Sequence, residues 1–219
     1  MAVGFVALNS YSIADTYFVS QLGTLPLAAM GFTFPVSFAV VAVGLGLGIG
    51  VSSVVARLLG SGDRDTVQRI ATHALLLGVV LGVILTVVGL VTIVPIFRSL
   101  GADERTLPLI REYMEVYFLC AVFIIVPMLG NFAIRATGDA VVPAIILSIS
   151  AAINVALDPL LIFGLAGFPR LELQGAAIAT VVANGITLVA ATTILARREH
   201  LIHVRHLGFE KLWDSWRRL

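Results

Sequence analysis

The chain has 219 residues, of which 59% are apolar and only 12% charged, with a mean hydropathy of +1.03 and a formal net charge of +1. This composition lies outside the range of soluble globular domains, and the small, dispersed charge excludes a nucleic-acid-binding surface. It reads as an all-α integral membrane protein.

A helix that crosses the hydrocarbon core needs about 20 mostly apolar residues. Six windows meet that need, at residues 2–22, 27–56, 70–97, 115–135, 140–165 and 173–195. The first has no basic segment before it and runs on past Asp15, so it reads as a span and not as a cleaved signal. The second carries Pro35 and the alternating Gly44, Gly46, Gly48 and Gly50. A strand there would leave its backbone unsatisfied in lipid, and a phosphate-cradling loop would need a following Lys-Ser/Thr that is missing. Close helix packing accounts for the glycines, with Gly46/Gly50 and Gly78/Gly82 both fitting the small-xxx-small pattern. The fourth window holds Pro127 and the single cysteine, Cys120, which is expected to pack as a small hydrophobe.

Lys and Arg divide unevenly between the two ends of these spans. Arg57, Arg64, Arg69, Arg135, Arg197, Arg198, Arg205, Lys211, Arg217 and Arg218 fall on one side, and Arg98, Arg105, Arg111 and Arg170 on the other. The positive-inside rule makes the first side cytoplasmic, together with both termini of this segment, in a multi-pass protein of the inner (plasma) membrane. Residues 198–219 are basic and amphipathic, with Leu207, Phe209, Leu212, Trp213, Trp216 and Leu219 at near-helical spacing. They predict a helix lying in the cytoplasmic interface. His200, His203 and His206 recur every three residues, but no Cys or carboxylate pattern completes a metal site, so they read as a solvated face.

Within the spans, polar residues are few and therefore informative. An aspartate inside a membrane helix is expensive enough to mark a functional site. In a helix Asn154 and Asp158 are four apart and share one face, and Pro159 removes the amide that would serve the Val155 carbonyl. Counting inward from the helix ends at about 1.5 Å per residue, Asp15, Asp158 and Thr180 all lie at a depth of about 10 Å. Asn154 lies one turn deeper, as does Tyr11 on the face of Asp15. Two carboxylates in one low-dielectric cavity need either a shared proton or a cation between them. Carboxylate, carboxamide, hydroxyl and a loosened carbonyl are suitable ligands for a hard cation. Taken singly, Thr180 and Asn154 would equally serve as hydrogen-bonding contacts between helices, and Asn131 as a helix-end device. Pro35, Pro127 and Pro159 are candidate hinges. No catalytic set is present, neither a nucleophile elbow nor HExxH nor an acid and base beside a nucleophile, so no enzyme is expected.

Several motifs in order carry a family resemblance. Ala14-Asp15-Thr-Tyr-Phe-Val-Ser-Gln-Leu-Gly23, Leu27-Ala-Ala-Met-Gly31, Ser53-Val-Val-Ala-Arg57, Arg135-Ala-Thr-Gly-Asp139, Ile153-Asn-Val-Ala-Leu-Asp158-Pro and Gly175-Ala-Ala-Ile-Ala-Thr180 resemble the amino-terminal half of a multidrug and toxic compound extrusion (MATE) transporter of prokaryotic type. The resemblance implies one six-helix lobe (1–197) of a two-lobed, cation-coupled antiporter, with the start of a truncated interlobe linker (198–219). It implies that Na+ or H+ is held by Asp15, Asn154, Asp158 and Thr180, with Tyr11 and Asn131 in the same polar network. It further implies a small drug-like, often cationic substrate between the lobes, membrane lipid around them, a second six-helix lobe as partner, and no cofactor beyond the coupling ion. A lipid-linked precursor flippase of the same superfamily, or a homodimerising half-transporter or channel, are the alternatives.

Overall fold

The computed structural model describes residues 13–202, 212–217 and 219. Its secondary structure is helical, with no strand among the described residues. Residues 13–20 form α1, followed by α2 (Thr24–Gly60), α3 (Arg64–Ser99), α4 (Leu107–Leu119), α5 (Ala121–Ala136), α6 (Val141–Phe163), α7 (Glu172–Arg197) and the short α8 (Leu212–Trp216). A single 3-10 turn, Leu165–Gly167, lies between α6 and α7. Helices α2, α3, α6 and α7 are each long and apolar enough to cross a membrane, and α4 with α5, bent by 50° at the break between them, are long and apolar enough when taken together.

The fourth window, 115–135, thus misses the start of its span. Arg111, Glu112 and Glu115 kept the sequence window short, yet Arg111 and Glu115 pair at 2.6 Å, four residues apart on the exposed side of α4. The sharp bend falls at Cys120 and not at a proline. There the Phe118 carbonyl accepts the Thr86 hydroxyl of α3 at 2.6 Å, which supplies a partner at the break. Pro35, Pro127 and Pro159 all lie inside helices that continue through them.

Helix α5 is the centre of the bundle, packed against α2, α3 and α7, while α6 packs chiefly on α7. Lipid is as apolar as the helices, so no hydrophobic force joins them, and close approach through small residues must supply the contact. Gly82 shows the constraint: a Cβ there would sit 2.7 Å from the Cα of Val122 on α5. The Gly46/Gly50 pairing expected from sequence is not used in that way. Gly44 and Gly48 of α2 receive Met128 and Phe132 of α5, Gly50 faces the Leu219 carbonyl, and Gly46 has nothing nearby. The outward faces stay apolar, as on α3, where Val83, Val87 and Val91 form an exposed stripe, as expected of a surface facing lipid.

At the loops, carboxylates cap helices. Asp63 accepts from the Thr66 amide at 3.1 Å. Asp139, after the left-handed Gly138, accepts from the amides of Val141 and Val142 at 3.0 Å each and pairs with Arg198 at 2.9 Å, tying the start of α6 to the end of α7. The Val142 amide, then Val141 and Arg198, hold the Asp139 carboxyl below its usual range. A depressed carboxylate contributes its stabilisation above the ordinary carboxylate range and loses it as acid protonates the cap.

The described part of the tail docks onto the bundle. Ser215 of α8 is buried, its hydroxyl 2.8 Å from Nδ1 of His73 on α3, and the Trp216 indole donates to the His73 carbonyl at 3.0 Å. Trp213 is exposed. The rest of the expected amphipathic stretch, with His203 and His206, lies outside the described residues.

Because the Gly82 contact is with backbone, Gly82→Ala forces a helix shift and is expected to cost about 1–3 kcal/mol, the usual cost of overpacking. Thermal unfolding of the detergent-solubilised protein reads this as a lowered midpoint. Gly46→Ala, which meets no atom within 4 Å, leaves the midpoint unchanged or slightly raised.

Candidate cation site

The α6–α7 hairpin builds most of the site. Gly164 ends α6 in the left-handed conformation at φ 73°, the Leu171 amide returns to the Leu161 carbonyl at 2.9 Å, and Gly175 lies so close to that carbonyl that a Cβ would collide with it. This contact sets the register of α7 on α6 and places Thr180 opposite Asn154.

Four of the residues singled out in the sequence come together there. Asp15, Asn154, Asp158 and Thr180 are 4%, 2%, 0% and 6% exposed. In the amide orientation that satisfies both of its ends, Asn154 donates to Asp15 Oδ1 at 3.3 Å and accepts from the Thr180 amide at 3.3 Å. In the opposite orientation its Nδ2 donates to Thr180 Oγ1, also at 3.3 Å. Asn154 is therefore the bridge among α1, α6 and α7.

The carboxyl groups of Asp15 and Asp158 lie within hydrogen-bonding reach of each other. Neither Asp158 oxygen, however, accepts a hydrogen bond from a donor among the described residues. Two acceptors in contact become a bond only with a proton between them, or a joint ligand only with a cation. The donor set fits such an ion: two carboxylates, a carboxamide and a hydroxyl are hard oxygen ligands. Among the described residues no group of three His, Cys, Asp or Glu side chains is placed to hold a metal ion.

Asn131 of α5 is also buried, and its Oδ1 has no hydrogen-bond partner. It shares no bond with the four residues above. Tyr11 lies outside the described residues.

A cavity of about 450 Å3 opens beside the carboxyl pair. Asp15 and Thr180 form its polar wall, and Pro35 lies on its α2 side. Tyr113 and Tyr117 of α4, absent from the sequence expectations, line it too, stacked at 6.2 Å with their rings 16° apart. Tyr117 donates to the Ser37 carbonyl of α2 at 3.4 Å. The available signal was their four-residue spacing, which puts two phenols on one helix face.

Asp158→Asn gives Asp15 an N–H donor and removes one of two facing acceptors. In sodium-free buffer at neutral pH the variant is expected to be more stable than the parent by about 1–3 kcal/mol, the usual cost of an unsatisfied buried polar group. It also loses any stabilisation by added sodium or acid. Thermal unfolding with and without sodium checks this, and a variant less stable in every condition would show that the pair is satisfied as it stands.

A family model for MatE matches residues 1–160. Over 217 residues the chain is 40% identical to the FAD transporter of Shewanella oneidensis, a match covering 99% of this chain and 48% of that protein. It is 30% identical over 179 residues to the probable multidrug resistance protein YoeA of Bacillus subtilis, covering 82% and 39%. The solved structure of the Vibrio cholerae MATE transporter VcmN in the bent form superposes with a TM-score of 0.88 at 26% identity, over 97% of this chain and 48% of that one. The chain thus spans about half the length of the relatives it matches. These matches, on an all-helical bundle with several membrane-crossing helices, make the chain a multi-pass membrane protein that belongs to the MatE family of transporters.

Proposed function

We propose that this chain is the amino-terminal lobe of a cation-coupled exporter in the cell membrane, both ends of the segment being cytoplasmic. The observation that carries the reading is the buried Asp15 and Asp158 pair, in which neither Asp158 oxygen has a hydrogen-bond partner among the described residues. Sodium or a proton entering there neutralises the pair. Asn154 links the pair to α1 and to α7, so neutralisation changes the contacts that hold these helices, and coupling follows if the two arrangements bind the ion differently. The relatives' greater length supports a second lobe, with the substrate held between the two.

Among the described residues, the cavity beside Asp15 is lined largely by apolar and aromatic side chains and by no Lys, Arg or His. That lining suits a flat organic cation, whose charge faces Asp15 and whose rings lie against Tyr113 and Tyr117. It disfavours a lipid-linked pyrophosphate precursor, which calls for cationic partners. A second reading is favoured by the 40% identical relative named FAD transporter. A flavin ring suits the same tyrosines, but its pyrophosphate would have to be met by cationic groups from elsewhere.

In the whole protein, Asp15→Asn and Asp158→Asn are each expected to lower efflux at least about tenfold, a loss of about 1.4 kcal/mol in coupling, at unchanged membrane abundance. Proteoliposomes loaded with ethidium or with FAD, under separate sodium and pH gradients, identify both ion and cargo. Efflux at the parental rate in both variants would end the proposal.

A further inference from the structure

A second, smaller polar pocket leaves the site in another direction. It has a volume of about 50 Å3 and lies in the seam between α6 and α7, where its polar walls are Ser150, Asn154, Thr180 and Asn184. Thr180 lines this pocket and the large cavity alike, so it borders both spaces.

The sequence spacing makes the seam continuous. On α6 the polar residues Asp158, Asn154 and Ser150 recur every four residues, and on α7 Thr180 and Asn184 do the same. Residues four apart stand one above another on a helix face, about 6 Å apart along the axis. Because α6 and α7 are antiparallel, descending numbers on one and ascending numbers on the other lead to the same end of the bundle. That is the end held by Asp139 and Arg198. The result is a ladder of oxygen-bearing side chains running from the carboxyl pair along an otherwise apolar seam.

The polarity of the ladder is also directed. Ser150 donates its hydroxyl to the Ala183 carbonyl at 3.0 Å, and Asn184 donates its amide to the Thr180 carbonyl at 2.9 Å. With the Ser150 donor and one Asn184 donor engaged on helix carbonyls, Ser150 Oγ keeps its lone pairs, and Asn184 keeps the lone pairs of Oδ1 and one N–H. Lone pairs serve a sodium ion or a chain of water carrying a proton, and they repel an anion.

We propose that the α6–α7 seam is a separate access route for the coupling cation, in which Ser150 and Asn184 conduct the ion between the Asp15 and Asp158 pair and the Asp139 end of the bundle. The large cavity admits substrate, and Thr180 is the junction between the two paths. This rests on the cation-coupled reading above. The competing explanation for the same residues is that Ser150 and Asn184 merely join two helices. That explanation predicts effects on stability but none on ion access.

The test uses the full-length transporter in sided membrane vesicles, with Cys120→Ser as background and a cysteine introduced by Ser150→Cys. The probes are a cationic and a neutral methanethiosulfonate reagent of similar size. The route requires the new thiol to react from the Asp139 side of the membrane, at least about tenfold faster with the cationic reagent, a preference of about 1.4 kcal/mol. It also requires that preference to vanish when Asp15→Asn and Asp158→Asn are added. In parallel, Asn184→Leu should cut cation-driven efflux per molecule at least about tenfold, with Asn184→Ser restoring most of it. An unreactive Ser150→Cys thiol, or one that takes both reagents equally, overturns the route, as does parental efflux in Asn184→Leu. If efflux survives in the two aspartate variants themselves, the cation-coupled reading has failed. If they are inactive while the seam variants behave like the parent, the route alone has failed.

Discussion

The structure depends on a charge problem that the chain does not solve by itself. Two carboxyl groups, on α1 and α6, are buried against each other, and the described residues around them offer amide and hydroxyl groups but no cationic side chain. At a separation of about 4 Å, two full charges repel by about 4 kcal/mol even at an effective dielectric of 20. A structural ion pair would place an arginine there, and the arginines of the described residues instead gather at helix ends and loops. On the proposed reading, an exchangeable cation or proton neutralises the pair.

Such a site works only if the surrounding helices hold the carboxyls together when repulsion would part them. The bundle provides this through contact and not through hydrophobic force. Gly82 brings α3 onto the backbone of α5, Gly48 receives the Phe132 ring, and Gly175 brings the first turn of α7 onto the last turn of α6. The last of these bears directly on the site, because a slip of one residue at Gly175 would rotate Thr180 by about 100° away from Asn154. Asn154 completes the arrangement by bonding to α1 and α7 at once. The bend at Cys120 frees α4 to follow a different direction from α5, so that Tyr113 and Tyr117 reach the cavity while α5 remains locked between α2, α3 and α7.

Much of this was legible in the sequence, for identifiable physical reasons. Aspartates in an apolar run announce themselves, and helical rise converts their positions into depths, so Asp15, Asp158, Asn154 and Thr180 could be grouped before any coordinates. The apolar windows fall on α2, α3, α6 and α7, although the third begins six residues after the Arg64 that opens α3. Window hydropathy failed where a span carries charge on one face only, and the Arg111 and Glu115 pair hid the beginning of α4. Proline was a poor guide to the bend. Pro127 is accommodated within α5, whereas the break at Cys120 is matched by a hydroxyl from another helix, Thr86, which no local pattern reveals. The glycine run was read correctly as packing but on the wrong face, since period two cannot say which of Gly44, Gly46, Gly48 and Gly50 meets a neighbour. The docking of Ser215 on His73 joins residues 142 positions apart and has no sequence signature at all.

On the proposed reading, the place of Asp15 on the wall of the large cavity ties ion and substrate to one carboxylate. A cation bound between Asp15 and Asp158 removes the charge that would hold an organic cation in the cavity, and an organic cation against Asp15 removes the charge that would hold the ion. The two ligands then compete for one carboxylate and need no long-range relay. Linkage requires the effect to be reciprocal: whatever factor the ion takes from substrate affinity, the substrate takes from ion affinity. Competition alone yields exchange only if the ion and the substrate reach their shared carboxylate from different sides at different times. Thr180, which borders both spaces, lies where that separation would have to be made.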